Sequence, residues 1–346
     1  MSKILLTGGS TFFGQELCQQ LLGHGYQVFA VTRRTTSLLP KRPGLEWLQM
    51  DLSNPQGIDA TLFTERASDI RYIIHASAHH ETRAPYPELY QRHVLSTSHL
   101  LDVARNLPQL EHFFLISTLE VGGHEHELLS EQWPSVGVNL SPWAQSKAAA
   151  ESMLAASDLS CGRSILRLAE IVGHSQTGYI PELSGSLRLL ETLQTLLRWR
   201  SLWKRTVFFP FPFDEAARLY LLPVDEAAQT VARLLPLAAQ SHPLEVMHVV
   251  GYGEGVSVRQ LLRYMLEHYR FDLEPLPLST HIWPDFLLHT LHIPPEMLNF
   301  LRHRTRYQAN RVKELLPHQV YSHPRRWQAH LLEYASTRLA TPRSST

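Results

Sequence analysis

The sequence predicts an α/β protein built on a doubly wound parallel sheet, and three observations carry that reading. Short apolar runs alternate with helical patterns from the start of the chain, and such alternation implies parallel crossover units. The first run, Lys3-Ile4-Leu5-Leu6, leads into a glycine-rich turn, Thr7 to Gly14, that opens a helix. The 346 residues are 44% hydrophobic and 18% charged, which suffices for a full core.

The first fourteen residues organise the rest. Gln15 to Leu22 reads as a helix, with Leu17, Leu21 and Leu22 spaced to face a sheet. A strand, a glycine-rich turn and a helix together present free backbone N–H groups to a pyrophosphate, and the helix N-terminus adds partial positive charge. Gly8 permits the tight turn, and Gly14 lets the helix pack close to the strand. Val28 to Thr32 is the second strand and ends in Arg33-Arg34. An acid at that place grips the adenosine ribose hydroxyls, whereas an arginine accommodates a 2′-phosphate. The pair therefore favours NADP over NAD.

Leu45 to Met50 is a third strand, ending in Asp51-Leu52. Ile70 to Ala78 is a fourth, running into small residues that let a flat cofactor approach the backbone. Tyr90 to Asn106 reads as a long helix, and Phe113 to Thr118 as a fifth strand with hydroxyls at its carboxyl end. Ser141 to Ala156 is the next helix, carrying Trp143 and Lys147, and Ser164 to Leu168 is a sixth strand. Ligands of such sheets lie beyond the carboxyl ends of the strands.

From Tyr179 the composition changes. Leu187 to Leu202 reads as a helix, and Phe208 to Phe213 as an irregular aromatic stretch. Leu222 to Asp225 returns towards the first domain. Glu226 to Leu235 is helical, Met247 to Val250 a late strand, and Ser257 to Tyr269 a helix. Pro275, Pro277, Pro284, Pro294 and Pro295 break the remainder into short helices. The expected organisation is a cofactor domain over 1–178, a substrate-region insertion over 179–220 and a return to the first domain over 221–256. A helical substrate region follows over 257–340, with a disordered tail over 341–346.

Bulk properties remove several function classes. Lys+Arg 32 balances Asp+Glu 32, so nothing points to nucleic acid or a membrane surface. Cys18 and Cys161 have no metal or redox spacing. His79-His80 and His124-Glu125-His126 read as loop residues, and no metal site is expected. MSKILL lacks a signal-peptide pattern and no apolar run reaches transmembrane length, so the expected compartment is the cytoplasm.

Several segments together resemble the extended short-chain dehydrogenase/reductase, or NAD-dependent epimerase/dehydratase, family over most of the chain up to about Leu262. Thr7-Gly8 to Gly14 resembles its TGxxGxxG loop, with Thr11 in place of the middle glycine. Asp51-Leu52 is similar to its adenine-contacting pair, and Ile74-His75-Ala76-Ser77-Ala78 to its HxAA segment. Ile116 to Val121 resembles the segment bearing the catalytic Ser or Thr, which assigns that role to Thr118. Trp143-x-x-x-Lys147 falls where the family has Tyr-x-x-x-Lys, His93 where an Asn usually sits, and Ser96 where a Gly usually sits. The thioester and fatty-acyl reductase branch is similar in further details: Pro85 to Tyr90, Gly173 to Gly178 and Pro223-Val224-Asp225.

The resemblance implies a Rossmann-type doubly wound sheet with a smaller, mostly helical C-terminal region. It implies cofactor contacts from Thr7, Gly8, Ser10, Thr11, Phe12, Phe13, Gly14, Arg33, Arg34, Asp51, Leu52, His75, Ala76, Ser77, His93 and Lys147. It implies catalytic roles for Thr118, Lys147, the Trp143 position and Glu120, since dehydratase members carry an acid where Glu120 stands. In the family, a Lys ammonium and the nicotinamide charge depress the Tyr phenol pKa from about 10 towards neutrality. An indole N–H donates a hydrogen bond but does not ionise in this range.

Three readings follow. The chain is a reductase with a relocated proton donor, Thr118 or Glu120; or it binds NADP without chemistry; or it is structural only. The preserved Gly8, Gly14, Asp51, Thr118 and Lys147 argue against the third. Trp199 and Trp203 read as a core stripe, and Arg198, Arg200, Lys204 and Arg205 as a solvated face or a surface for an acidic carrier protein. The expected substrate is a hydrophobic acyl, polyketide or steroid-like carbonyl compound. In the family the two long helices, Tyr90 to Asn106 and Ser141 to Ala156, often form a four-helix bundle between two copies, so the resemblance implies a homodimer.

Overall fold

The computed structural model describes residues 2–54, 69–77, 84–123, 128–138, 140–197, 207–239, 244–278, 293 and 295–340. Its centre is a seven-stranded, all-parallel sheet. The strands are β1 (Lys3–Thr7), β2 (Gln27–Thr32), β3 (Leu45–Gln49), β4 (Ile70–His75), β5 (His112–Thr118), β6 (Gly162–Leu168) and β7 (Glu245–Val249). Their order is β7-β6-β5-β4-β1-β2-β3. Continuous apolar runs such as Ile4-Leu5-Leu6 and Phe113-Phe114-Leu115 are buried along these strands, as a sheet covered on both faces requires.

Two layers of helix supply that cover. On one face, α1 (Phe12–Gly23) buries Leu17 and Leu21 with Leu6, Ala228 and Val231. On the other, α2 (Ser96–Arg105) and α3 (Pro142–Ala155) bury Leu100 and Leu154 with Leu5, Phe113 and Ile165. The first face is completed by α4 (Val224–Ala238). The chain leaves β3 at one edge and returns to β4 beside β1, and a crevice forms at such a reversal.

Helix α1 starts at Phe12, three residues before the expected Gln15, because Thr11 caps it. The Thr11 hydroxyl accepts from the Gly14 N–H at 3.0 Å and donates to the Gly8 carbonyl at 2.8 Å. Gly8 has φ +74°, and a Cβ there would lie 2.6 Å from the Ala76 carbonyl oxygen. A Cβ on Gly14 would lie 2.0 Å from the Gly8 carbonyl oxygen. The turn is thus threaded between two strands with no room for a side chain at either glycine.

The later chain departs from expectation in several places. Phe208–Pro212 is a strand, paired in parallel with Glu274–Leu278, where an irregular stretch and short helices were expected. Proline lacks an N–H and is tolerated on an edge strand; in this two-stranded sheet both strands are edges. Phe209 and Phe211 face a second core with Leu190, Leu262, Trp327 and Leu331. The last helix, Pro324–Ala340, is long rather than short. The expected helix from Leu187 is a 3-10 turn, Gly185–Arg188, followed by Leu189–Leu197. The expected helix from Tyr90 begins at Tyr86 and passes through a π turn, Tyr90–Leu95, before α2. Short strands Glu170–Val172 and Leu221–Pro223 pair in parallel, and Arg218–Leu219 and Val256–Ser257 antiparallel; none was expected. Residues 198–206, with Trp199, Trp203, Arg198, Arg200, Lys204 and Arg205, and the tail 341–346 lie outside the described residues.

A buried ion pair locks α3 to the sheet. Arg167 on β6 and Glu151 on α3 are both fully buried. Glu151 accepts from Arg167 Nη2 at 2.7 Å, from Nε at 3.1 Å, and from the Ser117 hydroxyl. Burial leaves His248 neutral, its pKa lowered to about 3. Its Nε2 faces Arg167 Nη1 at 3.4 Å, and its Nδ1 meets the Gln308 carbonyl at 2.7 Å. Breaking a buried pair strands one charge. Glu151→Ala is therefore expected to lower stability by about 3–5 kcal/mol, read as a fall in the urea midpoint. A loss below about 1 kcal/mol would show that Arg167 finds another partner.

Candidate active site

A cleft of about 210 Å³ opens at the carboxyl ends of β1, β2 and β4. Thr7, Gly8, Ser10, Thr11, Arg33, Arg34, Asp51, Leu52 and Ser77 line it, all expected from sequence. Ser10 Oγ and Thr32 Oγ1, 2.7 Å apart, tie the glycine-rich turn to the end of β2. Thr32 also accepts from the Arg34 N–H at 3.0 Å, which turns the chain where two exposed arginines reach the cleft rim. Asp51 is oriented by the Ser53 N–H at 2.9 Å and the Ser53 hydroxyl at 2.6 Å. Thr7 Oγ1 accepts from the Ser77 N–H at 3.1 Å and meets His75 Nδ1 at 2.7 Å. Burial first, then the Lys147 charge, holds His75 neutral with a pKa lowered to about 3.

Other expected residues stand back from this cleft. Phe12 packs against the second core and meets Tyr179 edge-on at 5.8 Å, while Phe13 packs against the first core. Gly14 is inside α1, and His75 and Ala76 are buried at the end of β4. His93 does not line the cleft: its Nδ1 meets Ser146 Oγ at 2.7 Å and its ring lies 5.0 Å from that of Trp143. Arg92 and Ser96 face the cleft instead. Sequence reasoning assigned neither to it; their four-residue spacing is the available signal, since residues so spaced share a helix face.

The second half of the site gathers around the end of β5. Thr118 caps a 3-10 turn, Leu119–Gly122, by accepting from the Glu120 N–H at 3.2 Å. Helix α3 starts under a Ser141 cap, with Pro142 in its first turn. That register brings Lys147 inward, where it donates to the Ile116 carbonyl at 3.3 Å. Trp143, one turn earlier, lies with its ring centroid 5.3 Å from Lys147 Nζ. Burial lowers the Lys147 pKa to about 8, against an upward pull from Glu151.

Groups from other segments close in on the turn that carries Glu120. Burial raises Glu120 to about 7. Glu170, just beyond β6, is raised by burial to about 8, with the Ser186 N–H opposing and the Glu120 charge adding to the rise. Its Oε1 accepts that N–H at 2.8 Å. Tyr307 donates its phenol proton to the Leu119 carbonyl at 2.9 Å and lies 3.2 Å from His303 Nε2. Burial holds its pKa well above the ordinary phenol value. Glu170 and Tyr307 were missed from sequence. An acid directly after an apolar strand was a usable signal for Glu170; Tyr307, 188 residues from its partner Leu119, offered none.

Among the described residues no group of His, Cys, Asp and Glu could hold a metal, and no helix is long and apolar enough to cross a membrane. Ala78, His79, His80 and His124 to His126 lie outside the described residues.

Residues 4–202 match the model of the NAD dependent epimerase/dehydratase family, and the chain belongs to that family. It is 29% identical over 197 residues to a 2-alkyl-3-oxoalkanoate reductase of Stenotrophomonas maltophilia, covering 54% of this chain and 58% of the relative. It is 29% identical over 170 residues to a decarboxylating sterol-4-alpha-carboxylate 3-dehydrogenase of Dictyostelium discoideum, covering 47% and 50%. The chain thus spans between half and three-fifths of the length of these two curated relatives. Among solved structures, the terminal R domain from the myxalamid PKS-NRPS biosynthetic pathway superposes with a TM-score of 0.78 at 20% identity, covering 99% of this chain and 92% of that one. A Bacillus cereus UDP-glucuronic acid 4-epimerase in complex with UDP-glucuronic acid and NAD superposes with 0.69 at 17% identity, covering 97% and 99%. These two share its fold.

The buried titratable groups set an expected stability profile. His75, His112 and His248 are lowered to about 3, 4 and 3 by burial. Their stabilisation is complete above the unfolded value of about 6.5 and is lost as pH falls. Glu120 and Glu170 are raised to about 7 and 8. Their contribution is complete below about 4.5 and is lost as pH rises through those values. Between about 4.5 and 6.5 the two sets oppose. Thermal unfolding should therefore peak in that interval and fall on both sides, at about 1.4 kcal/mol per pH unit for each titrating group. A midpoint that climbs steadily from pH 5 to 8 would contradict this.

Proposed function

We propose that the chain is an NADP-dependent oxidoreductase of the extended short-chain type that reduces a carbonyl or thioester of a hydrophobic substrate. The observation that carries this is Lys147, buried at the Ile116 carbonyl beside Thr118, within the frame of this family. The donor set of the cleft fits a dinucleotide: hydroxyls and free N–H groups at the turn, an oriented carboxylate at Asp51, and two arginines at the rim. When bound, the dinucleotide supplies hydride. Arg33 and Arg34 would pair with a 2′-phosphate, and Lys147 would hydrogen bond to ribose hydroxyls.

Trp143 occupies the place of the family's phenol. It covers Lys147 but has no proton to exchange. The proton reaches the substrate oxygen from Thr118 or Glu120. A missing general acid slows a reaction by about 10²–10⁴ without forbidding it. Tyr179, half exposed beside Phe12 and Tyr334, suits an apolar substrate. A relative that reduces 2-alkyl-3-oxoalkanoates supports a hydrophobic ketone, and the terminal R domain supports a carrier-bound thioester. A groove of about 450 Å³ between α2 and α3, floored by small residues such as Ala149, Ser152 and Ala156, suits a second copy of the chain. The free cysteines accord with a reducing cytoplasm.

Two further readings have their own support. The lack of an ionisable group at Trp143 favours a non-catalytic NADP-binding protein, and Glu120 favours an epimerase or dehydratase.

Titration calorimetry should show NADPH binding more tightly than NADH. Arg33→Ala or Arg34→Ala should weaken NADPH alone by about 1.5–3 kcal/mol. A preference for NADH would remove the arginine argument. In single-turnover NADPH oxidation, Trp143→Tyr should raise the rate, because Lys147 is placed to tune a phenol, and Thr118→Val should lower it at least tenfold. A wild type that oxidises no NADPH with any ketone or thioester would favour the binding protein, and a rate indifferent to Thr118→Val would move the active site elsewhere.

A further inference from the structure

Arg92 is the cation of the cleft that no sequence motif accounts for. It stands in the π turn, Tyr90–Leu95, that leads into α2. Such wide turns recur at functional sites, and this one is held by hydroxyls. Ser96 Oγ donates to the Arg92 carbonyl at 2.6 Å, and Thr97 Oγ1 donates to the His93 carbonyl at 2.5 Å. The following turn is anchored to the cleft wall, where His99 Nδ1 donates to the Leu52 carbonyl at 2.7 Å. Positions 92, 96 and 99 fall on one side of the helix. That side brings Arg92 and Ser96 to the cleft beside Asp51, Leu52 and Ser53. Arg92 therefore shares one cavity with the two arginines that follow β2.

The charge in that cavity is unbalanced. Arg92 is half-buried, yet among the described residues its guanidinium makes no hydrogen bond and no ion pair. Asp51 is the one carboxylate lining the cleft, and it accepts from Ser53 rather than from an arginine. Three arginines thus line the cleft with a single acid, in a chain whose formal net charge is +0. Like charges gathered in this way repel one another until an anion enters between them. Ser96 offers no competing donor, since its proton goes to the Arg92 carbonyl. The N–H groups of the glycine-rich turn suit a pyrophosphate, which leaves the arginines for a further phosphate. At about 210 Å³ the cleft is also smaller than the roughly 300–1,000 Å³ of a whole ligand site, so its lining groups act on one part of a dinucleotide.

We propose that Arg92 is a third arginine for the cofactor's 2′-phosphate, acting from the helix wall while Arg33 and Arg34 act from the end of β2. The proposal rests on the NADP reading and adds the residue that sets how strongly the phosphate is preferred. Arg92 contributes only to a ligand that carries this phosphate. It is a specificity residue and takes no part in hydride or proton transfer.

Titration calorimetry with adenosine 2′,5′-bisphosphate and with 5′-AMP isolates the adenosine half from turnover. The wild type should prefer the bisphosphate. Arg92→Gln should reduce that preference about ten- to a hundredfold by weakening the bisphosphate alone. Arg92→Lys should restore part of it, and Arg92→Glu should reduce it further. Bisphosphate binding should also weaken more steeply with salt in the wild type than in Arg92→Gln. An unchanged preference in Arg92→Gln, beside a reduced one in Arg33→Ala or Arg34→Ala, would overturn the role of Arg92 and leave the NADP reading standing. Equal weakening of both nucleotides would also overturn it, by moving Arg92 to the base or the 5′-phosphate. A wild type with no preference for the bisphosphate would overturn the NADP reading itself. The three variants test one position with the charge kept, removed and reversed, so misfolding of one leaves the comparison to the others.

Discussion

The structure depends on how closely the first turn approaches the end of β4. The Ala76 carbonyl and the Ser77 N–H occupy the space a Gly8 side chain would need, and the Gly8 carbonyl occupies the space of one at Gly14. This contact draws β1, β4 and α1 together at the point where the strand order reverses. The cleft is the void left beside it. The hydroxyls of Thr7, Ser10 and Thr11 then satisfy the polar groups that such a turn exposes, so the same residues hold the backbone and line the cleft. A residue larger than glycine at either position would separate the strands that make the site.

Much of this was legible in the sequence because it is local. Buried parallel strands are written as apolar runs, whereas the Thr11 cap went unread and left the expected helix start three residues late. The strand Phe208–Pro212 was illegible for a physical reason: its register is set by a partner more than sixty residues away, and its prolines disguise it. His93 was assigned to the cleft by analogy of position, yet the π turn presents Arg92 and Ser96 there and carries His93 to Ser146. Glu170 and Tyr307 escaped because tertiary contacts alone give them meaning.

The electrostatic character of the site follows from burial without full pairing. Glu151 and Arg167 neutralise one another, so the sheet tolerates them. Among the described residues Glu120, Glu170, Lys147 and His75 form no ion pair, and burial shifts each towards its neutral form.

The segment around Tyr307 carries a consequence for how the molecule is made. Tyr307 reaches the Leu119 carbonyl, Thr305 reaches the Gly123 carbonyl, and the Asn310 and Arg311 N–H groups both reach Glu131. The turn bearing Thr118 and Glu120 is therefore clasped by residues nearly two hundred positions later. On the ribosome the central sheet can assemble strand by strand, but that turn is fastened only after residue 311 has left the exit tunnel. The amino-terminal part that matches the family model would emerge with its glycine-rich cleft formed and the corner bearing Thr118 and Glu120 unlatched.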